Sequence, residues 1–184
     1  TAFVSGGSKG LGRACALALA SEGVNVTILA RDAGRLEKAA AELSAATGVE
    51  VTAVAGDIST EKGRADALAA CPDPDILVNN AGVAPPRGDC LQWGMEDWQA
   101  ALNDHMLTSL MMIRATVPGM VERGFGRVVN ITSGIVKMPI ANMALATAPR
   151  LGLTGFAAGL ARQVVRNNVT INNLLPGAMD TERF

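Results

Sequence analysis

The chain has 184 residues, of which 49% are apolar, 18% charged and 3% aromatic, and its 16 basic and 17 acidic side chains leave a formal charge of −1. That length suits one domain with a sizeable buried core, and the apolar fraction excludes a disordered chain. The near-neutral balance excludes the electrostatic footprint of a nucleic-acid or anionic-membrane binder. Cys15, Cys71 and Cys90 lack the spacing of a disulfide framework or a metal site, so a cytoplasmic protein without metal is expected.

Strand and helix alternate from the first residue. Thr1–Val4 reads as a short strand, and a glycine-rich turn then opens a helix near Leu11 that stops at Gly23. Val24–Ala30 is a buried apolar strand. Leu36, Ala40 and Leu43 give the next helix an apolar stripe, and Gly48 stands where a C-terminal cap is expected. Further strands are predicted at Val49–Ala55, Ile76–Val78, Val128–Ile131 and Val169–Leu174, with long helices over Glu96–Arg123 and Ala144–Arg166. Strands separated by helices imply right-handed crossovers and a parallel sheet covered on both faces. The expected fold is therefore α/β of the Rossmann type: a doubly wound parallel sheet in three αβα layers, one domain over residues 1–184. No signal peptide is read before the first strand, and no apolar run approaches the roughly 18 residues of a membrane span. A strand at the first residue and a stop at Phe184, where a connecting segment is expected, predict truncation at both ends.

The turn SGGSKGLGRA, Ser5 to Ala14, places Gly6, Gly10 and Gly12 between a strand and a helix. Glycine there permits a tight turn and lets a pyrophosphate approach the backbone at a positively polarised helix N-terminus. A phosphate loop of the nucleoside-triphosphatase kind fails on chemistry, because Arg13-Ala14 stands where Lys-Ser/Thr should be. About twenty residues on, where an NAD site carries an acid for the ribose 2′-hydroxyl, the chain reads LARD, with Ala30 and Arg31 at the turn. Lys9 and Arg31 suit a 2′-phosphate, hence NADP(H) rather than NAD(H); Asp32 keeps the alternative open.

Five motifs follow in order: SGGSKGLG, GDIS (Gly56–Ser59), NNAG (Asn79–Gly82), NITS (Asn130–Ser133) and PGAMDT (Pro176–Thr181). In these the chain resembles the short-chain dehydrogenase/reductase family, and within it members like 3-oxoacyl-acyl-carrier-protein reductase, over nearly its whole length. The resemblance implies a nicotinamide dinucleotide on the segment Ser5, Gly6, Ser8, Lys9, Gly10, Leu11 and Gly12 and on Ala30 and Arg31. It implies Asp57 and Ile58 bracketing the adenine and Asn80, Ala81 and Gly82 lining the centre. Ile131, Arg150, Pro176, Gly177 and Thr181 complete the implied set.

The family's chemistry uses Asn, Ser, Tyr and Lys. Ser133 matches the serine, but Ala146 stands at the tyrosine position and Arg150 at the lysine position, and the chain contains no tyrosine. Counting from Trp98, the asparagine position falls on His105, with Asn103 two residues away. Ser133, His105 and Arg150 are thus the candidate catalytic residues. Alanine has no proton to give and arginine does not release one near neutral pH. Two readings follow. One is an NADP(H)-dependent oxidoreductase acting on a carbonyl or alcohol, a 3-oxoacyl compound among them; the other is a catalytically impaired NADP(H)-binding protein with a sensing or interaction role. Gly152, Gly155 and Gly159 recur along one side of the last long helix. They suit either packing on the chain's own sheet or a subunit interface, and the resemblance implies a homodimer or homotetramer.

Overall fold

The computed structural model describes residues 1–80, 82, 88–177 and 179; Ala81 and Thr181, both expected at the cofactor, lie outside the described residues. Six strands, β1 (Ala2–Ser5), β2 (Val26–Ala30), β3 (Val51–Ala55), β4 (Ile76–Asn79), β5 (Gly126–Ile131) and β6 (Val169–Leu174), form one sheet. Their order is β3-β2-β1-β4-β5-β6 and every pairing is parallel. The strand order reverses between β1 and β4, and in doubly wound sheets that crevice, at the carboxyl ends of the strands, takes the ligand.

Both faces of the strands are apolar, which is why both are covered. On one side Ala2 and Val4 of β1, Ile28 of β2 and Val78 of β4 pack against Leu36 and Leu43 of α2 (Ala33–Thr47) and Ala16 of α1 (Gly10–Ser21). On the other, Phe3, Leu29 and Leu77 meet helices α3 (Glu61–Ala70), α5 (Thr108–Arg123) and α6 (Ala144–Val164) through Ala67, Met112, Ile113 and Leu153. The predicted elements are present with ends moved by a residue or two, and Gly48 caps α2 with φ 75°. Helix α3 was not foreseen. The single helix expected over Glu96–Arg123 is divided: α4 (Met95–Leu102) and α5 are joined by a π-helical turn, Asn103–Leu107, in which the Thr108 amide and hydroxyl both donate to the Asn103 carbonyl. Among the described residues no helix is long and apolar enough to cross a membrane, and no group of three or more His, Cys, Asp or Glu could hold a metal.

The glycine strip of α6 divides in the same way. A Cβ on Gly152 would stand 2.8 Å from Met106 Sδ of the π-helical turn, whereas Gly155 and Gly159 have nothing within 4 Å. Among the described residues, only the first glycine packs against another part of this chain.

The carboxyl side of the sheet carries a row of amides. Asn79, Asn130 and Asn173 share one register across β4, β5 and β6. Asn79 Nδ2 donates to Asn130 Oδ1 at 2.9 Å, and Asn130 Nδ2 donates to Asn173 Oδ1 at 3.1 Å. Asn130 is fully buried, so it must be satisfied by its neighbours. Asn130→Ala leaves two partners unpaired and is expected to cost about 2–4 kcal/mol of unfolding free energy, read as a lower denaturant midpoint at unchanged slope.

Candidate dinucleotide and catalytic site

The glycine turn leaves β1 and doubles back beneath β2. Gly6 N and Gly7 N both donate to Leu29 O, and Gly6 and Gly10 adopt φ of 68° and 54°. A Cβ on Gly12 would overlap the Gly6 carbonyl oxygen and lie 2.6 Å from Asn80 Nδ2, so the first turn of α1 closes on this loop only without a side chain there. Lys9 caps α1 in extended conformation, with no side-chain hydrogen bond to the helix amides and no acid in the first turn. Those amides point where an anion binds. Asn80 fixes the arrangement from β4: its backbone N–H donates to Ser5 Oγ at 2.9 Å, and its Nδ2 donates to Ser5 O at 3.2 Å and Gly6 O at 3.5 Å. The donors and the bare turn fit the pyrophosphate of a dinucleotide.

At the end of β2, half-buried Ala30 is followed by exposed Arg31. Asp32, which kept the NAD alternative open, accepts a hydrogen bond from the Arg35 amide as the N-cap of α2. After β3, Asp57 folds over Ser59: its Oδ1 accepts from the Ser59 amide and hydroxyl at 3.0 and 2.8 Å. Burial opposes ionisation of Asp57, but these bonds and the charge of Arg31 hold its carboxyl below the usual carboxylate range. Ile58 is buried beneath, and Arg64 of α3 donates to the Ile58 and Ser59 carbonyls. Helix α3 approaches so closely that a Cβ on Gly63 would overlap the Asp57 carbonyl.

The π-helical turn abuts three of these parts. Asn103 Nδ2 donates to Ser59 O at 3.4 Å. A Cβ on Gly82 would lie 2.8 Å from His105 Nδ1, and Met106 meets Gly152 of α6. Thus His105, 6% exposed, packs beneath the NNAG turn, while Asn103 reaches the Asp57 loop instead. Of the two positions the sequence left open, it is the histidine that packs against Gly82.

Ser133 follows β5 by two residues and is half-buried, and its Oγ accepts from the Ile135 amide at 3.4 Å. Gly134 N donates to Pro176 O and Thr132 N to Leu174 O, both at 2.9 Å, so the segment after β6 lies against Ser133. Ile131 and Pro176 are half-buried beside it, and Gly177 is exposed with nothing within 4 Å of an added Cβ. Ala146 is 2% exposed in the first turn of α6. The Thr147 hydroxyl beside it is committed to Met143 O at 2.9 Å. Arg150 Nη1 donates to Ala146 O at 2.7 Å, so the guanidinium folds back along its own helix onto the residue in the tyrosine position. Pro149, the sixth residue of α6, removes the amide that would donate to Leu145 O.

A switch-point crevice, a glycine turn at a helix N-terminus and an amide-pinned second loop define a dinucleotide-binding α/β protein. The chain belongs to the short chain dehydrogenase family, whose model matches residues 1–184. It is 31% identical over 183 residues to the uncharacterized oxidoreductase YvaG of Bacillus subtilis, covering 99% of this chain and 69% of that protein. It is 34% identical over 187 residues to the 3-oxoacyl-(acyl-carrier-protein) reductase FabG of Pseudomonas aeruginosa, covering 98% of this chain and 74% of that one. Among solved structures, L-sorbose reductase from Gluconobacter frateurii, complexed with NADPH and L-sorbose, superposes with a TM-score of 0.92 at 30% identity, over 99% of this chain and 70% of that chain.

Gly12→Ala is expected to weaken dinucleotide binding by at least tenfold in titration calorimetry, since α1 must move away from the turn whose amides bind the pyrophosphate.

Proposed function

We propose that this short-chain dehydrogenase-type oxidoreductase binds NADP(H) and exchanges hydride slowly with a small carbonyl or alcohol, with His105, at the family's asparagine position, taking over the proton exchange that Ala146 at the tyrosine position cannot perform. The observation that carries the reading is the packing of buried His105 under Gly82, on a π-helical turn that also touches α6. The cofactor supplies the hydride when bound. Ser133 offers a hydroxyl that can orient a carbonyl oxygen. Arg150 supplies hydrogen-bond donors for ribose or for a developing negative charge, without a proton to release. His105 is the chain's sole histidine, and an imidazole can take up and release a proton.

NADP(H) is favoured over NAD(H) by Arg31 at the end of β2, by Lys9 in the glycine turn, and by the commitment of Asp32 to capping α2. The NADPH held by L-sorbose reductase points the same way. A 3-oxoacyl substrate rests on similarity to the Pseudomonas reductase and a sugar on similarity to the sorbose enzyme; the shared chemistry is a ketone. Ala146 favours a second reading, an impaired NADP(H) binder that works by sensing or association.

One assay separates them. With NADPH and a panel of 3-oxoacyl thioesters and ketones, turnover is expected at least 10²-fold below that of a tyrosine-bearing relative, the low end of what general acid–base catalysis contributes. His105→Gln should abolish the residue of activity. Turnover that survives this change takes the role from His105, and no turnover at all leaves the impaired reading standing.

The exposed Gly155 and Gly159 of α6 support a symmetric association of two copies, in which a bare helix backbone is approached closely by another chain. Gly155→Leu is expected to convert a dimer to a monomer in sedimentation at tens of micromolar while NADPH affinity changes little. In a protein already monomeric, Gly155→Ala instead stabilises by about 0.5–1 kcal/mol, the ordinary helix-propensity gain at an open site.

A further inference from the structure

We propose that Asn103 is a positioning residue: its amide links the loop after β3 to the π-helical turn, so that an adenosine group settling on the Asp57–Ser59 loop sets the His105 imidazole against Gly82. The inference rests on the NADP(H) reading above and goes beyond it, because it lets the half of the cofactor remote from the reacting atoms act on that imidazole. The loop follows β3 at the carboxyl edge of the sheet, where the crevice takes its ligand. Ser59 is the node of the loop. Its amide and hydroxyl donate to Asp57 Oδ1 at 3.0 and 2.8 Å, and its carbonyl accepts from Arg64 Nη1 at 2.8 Å and from Asn103 Nδ2 at 3.4 Å. The Asn103 carbonyl, in turn, accepts from the amide and the hydroxyl of Thr108, the bonds that close the π-helical turn. Asn103 therefore reaches the loop through its side chain and holds the turn together through its backbone. His105 lies two residues on in the same turn, 6% exposed, with Nδ1 2.8 Å from where a Cβ on Gly82 would stand.

The lengths show where this link has play. A bond of 3.4 Å is longer than the roughly 2.7–3.2 Å that such bonds prefer, so a loop that moves inward strengthens it. Behind the turn, Met106 packs on the bare backbone of Gly152 in α6. The turn is thus backed by one helix and faces the loop, and a pull at Asn103 is taken up by the residues that carry His105. The loop does not need the link to keep its shape. Arg64 also holds the Ile58 carbonyl at 3.2 Å, and the Thr60 hydroxyl accepts from the Gly63 amide at 3.0 Å. Replacing the Asn103 side chain keeps the carbonyl that closes the turn, so it uncouples turn from loop without dismantling either.

His105 is the chain's sole histidine, so its imidazole gives one Cε1–H signal in proton NMR. Adenosine 2′,5′-bisphosphate is the probe, because it carries the adenosine half of NADP(H) and no nicotinamide to reach the centre. Saturating probe is expected to move the His105 signal in the wild-type protein. In Asn103→Ala the probe should bind with nearly unchanged affinity while that movement is lost, with Asn103→Asp, the same shape without the donor, as the second variant where alanine does not fold. A residue that only stabilises the turn would leave the probe-induced movement in place. A probe that binds the wild type without moving the signal, or a movement that survives in the variant, overturns the proposal. Failure of the underlying reading looks different: wild-type protein that binds NADPH but not the probe removes this inference alone, and protein that binds neither removes the cofactor assignment with it.

Discussion

The cleft depends on amide side chains that act as if they were extra backbone. A parallel sheet ends in a ragged edge, where each strand's last peptide groups have no partner on the next strand. Here Asn80 reaches from the end of β4 to the Ser5 and Gly6 carbonyls, and Ser5 Oγ receives the Asn80 amide in return. Behind it the Asn79–Asn130–Asn173 row runs across three strands at one level. These bonds continue the sheet's hydrogen bonding beyond the strands. They hold the glycine turn, Asn79 and Asn80, and the end of β6 in fixed relation.

What surrounds this frame departs from the pattern that the sequence resemblance implies. Ala146, a buried methyl group, stands where that resemblance expects the exchangeable proton, and Arg150 is turned onto the Ala146 carbonyl. Neither change disturbs the frame, because α6 is held by Leu145, Leu153 and Ala157 in the core and not by its polar residues. The fold therefore does not depend on the polar residues at those positions.

The strands and the glycine turn were legible in the sequence because their signals are local: apolar runs, turn glycines and a capping glycine such as Gly48. Helix α3 was missed because its buried residues are Gly63 and Ala67, too small to make an apolar stripe. The division of the Glu96–Arg123 helix was missed because a π-helical turn shifts the period by one residue only, and the apolar spacing on either side still reads as one helix. His105 was found by counting from Trp98, a count indifferent to helix type.

The π-helical turn also fixes what lengths this region tolerates. Such a turn holds one residue more than an α-helical turn between the same flanks. Deleting any one residue of 103–107 would restore a continuous α-helix with α4 and α5 left in nearly the same relation. Helix α5 is anchored by Met112, Ile113 and Met120 in the core, so the change falls on the turn itself and on whatever side chain then faces Gly82. The histidine would be carried off the NNAG turn without any change of its own identity. In this chain a length change of one residue acts on the centre of the cleft as strongly as a substitution there.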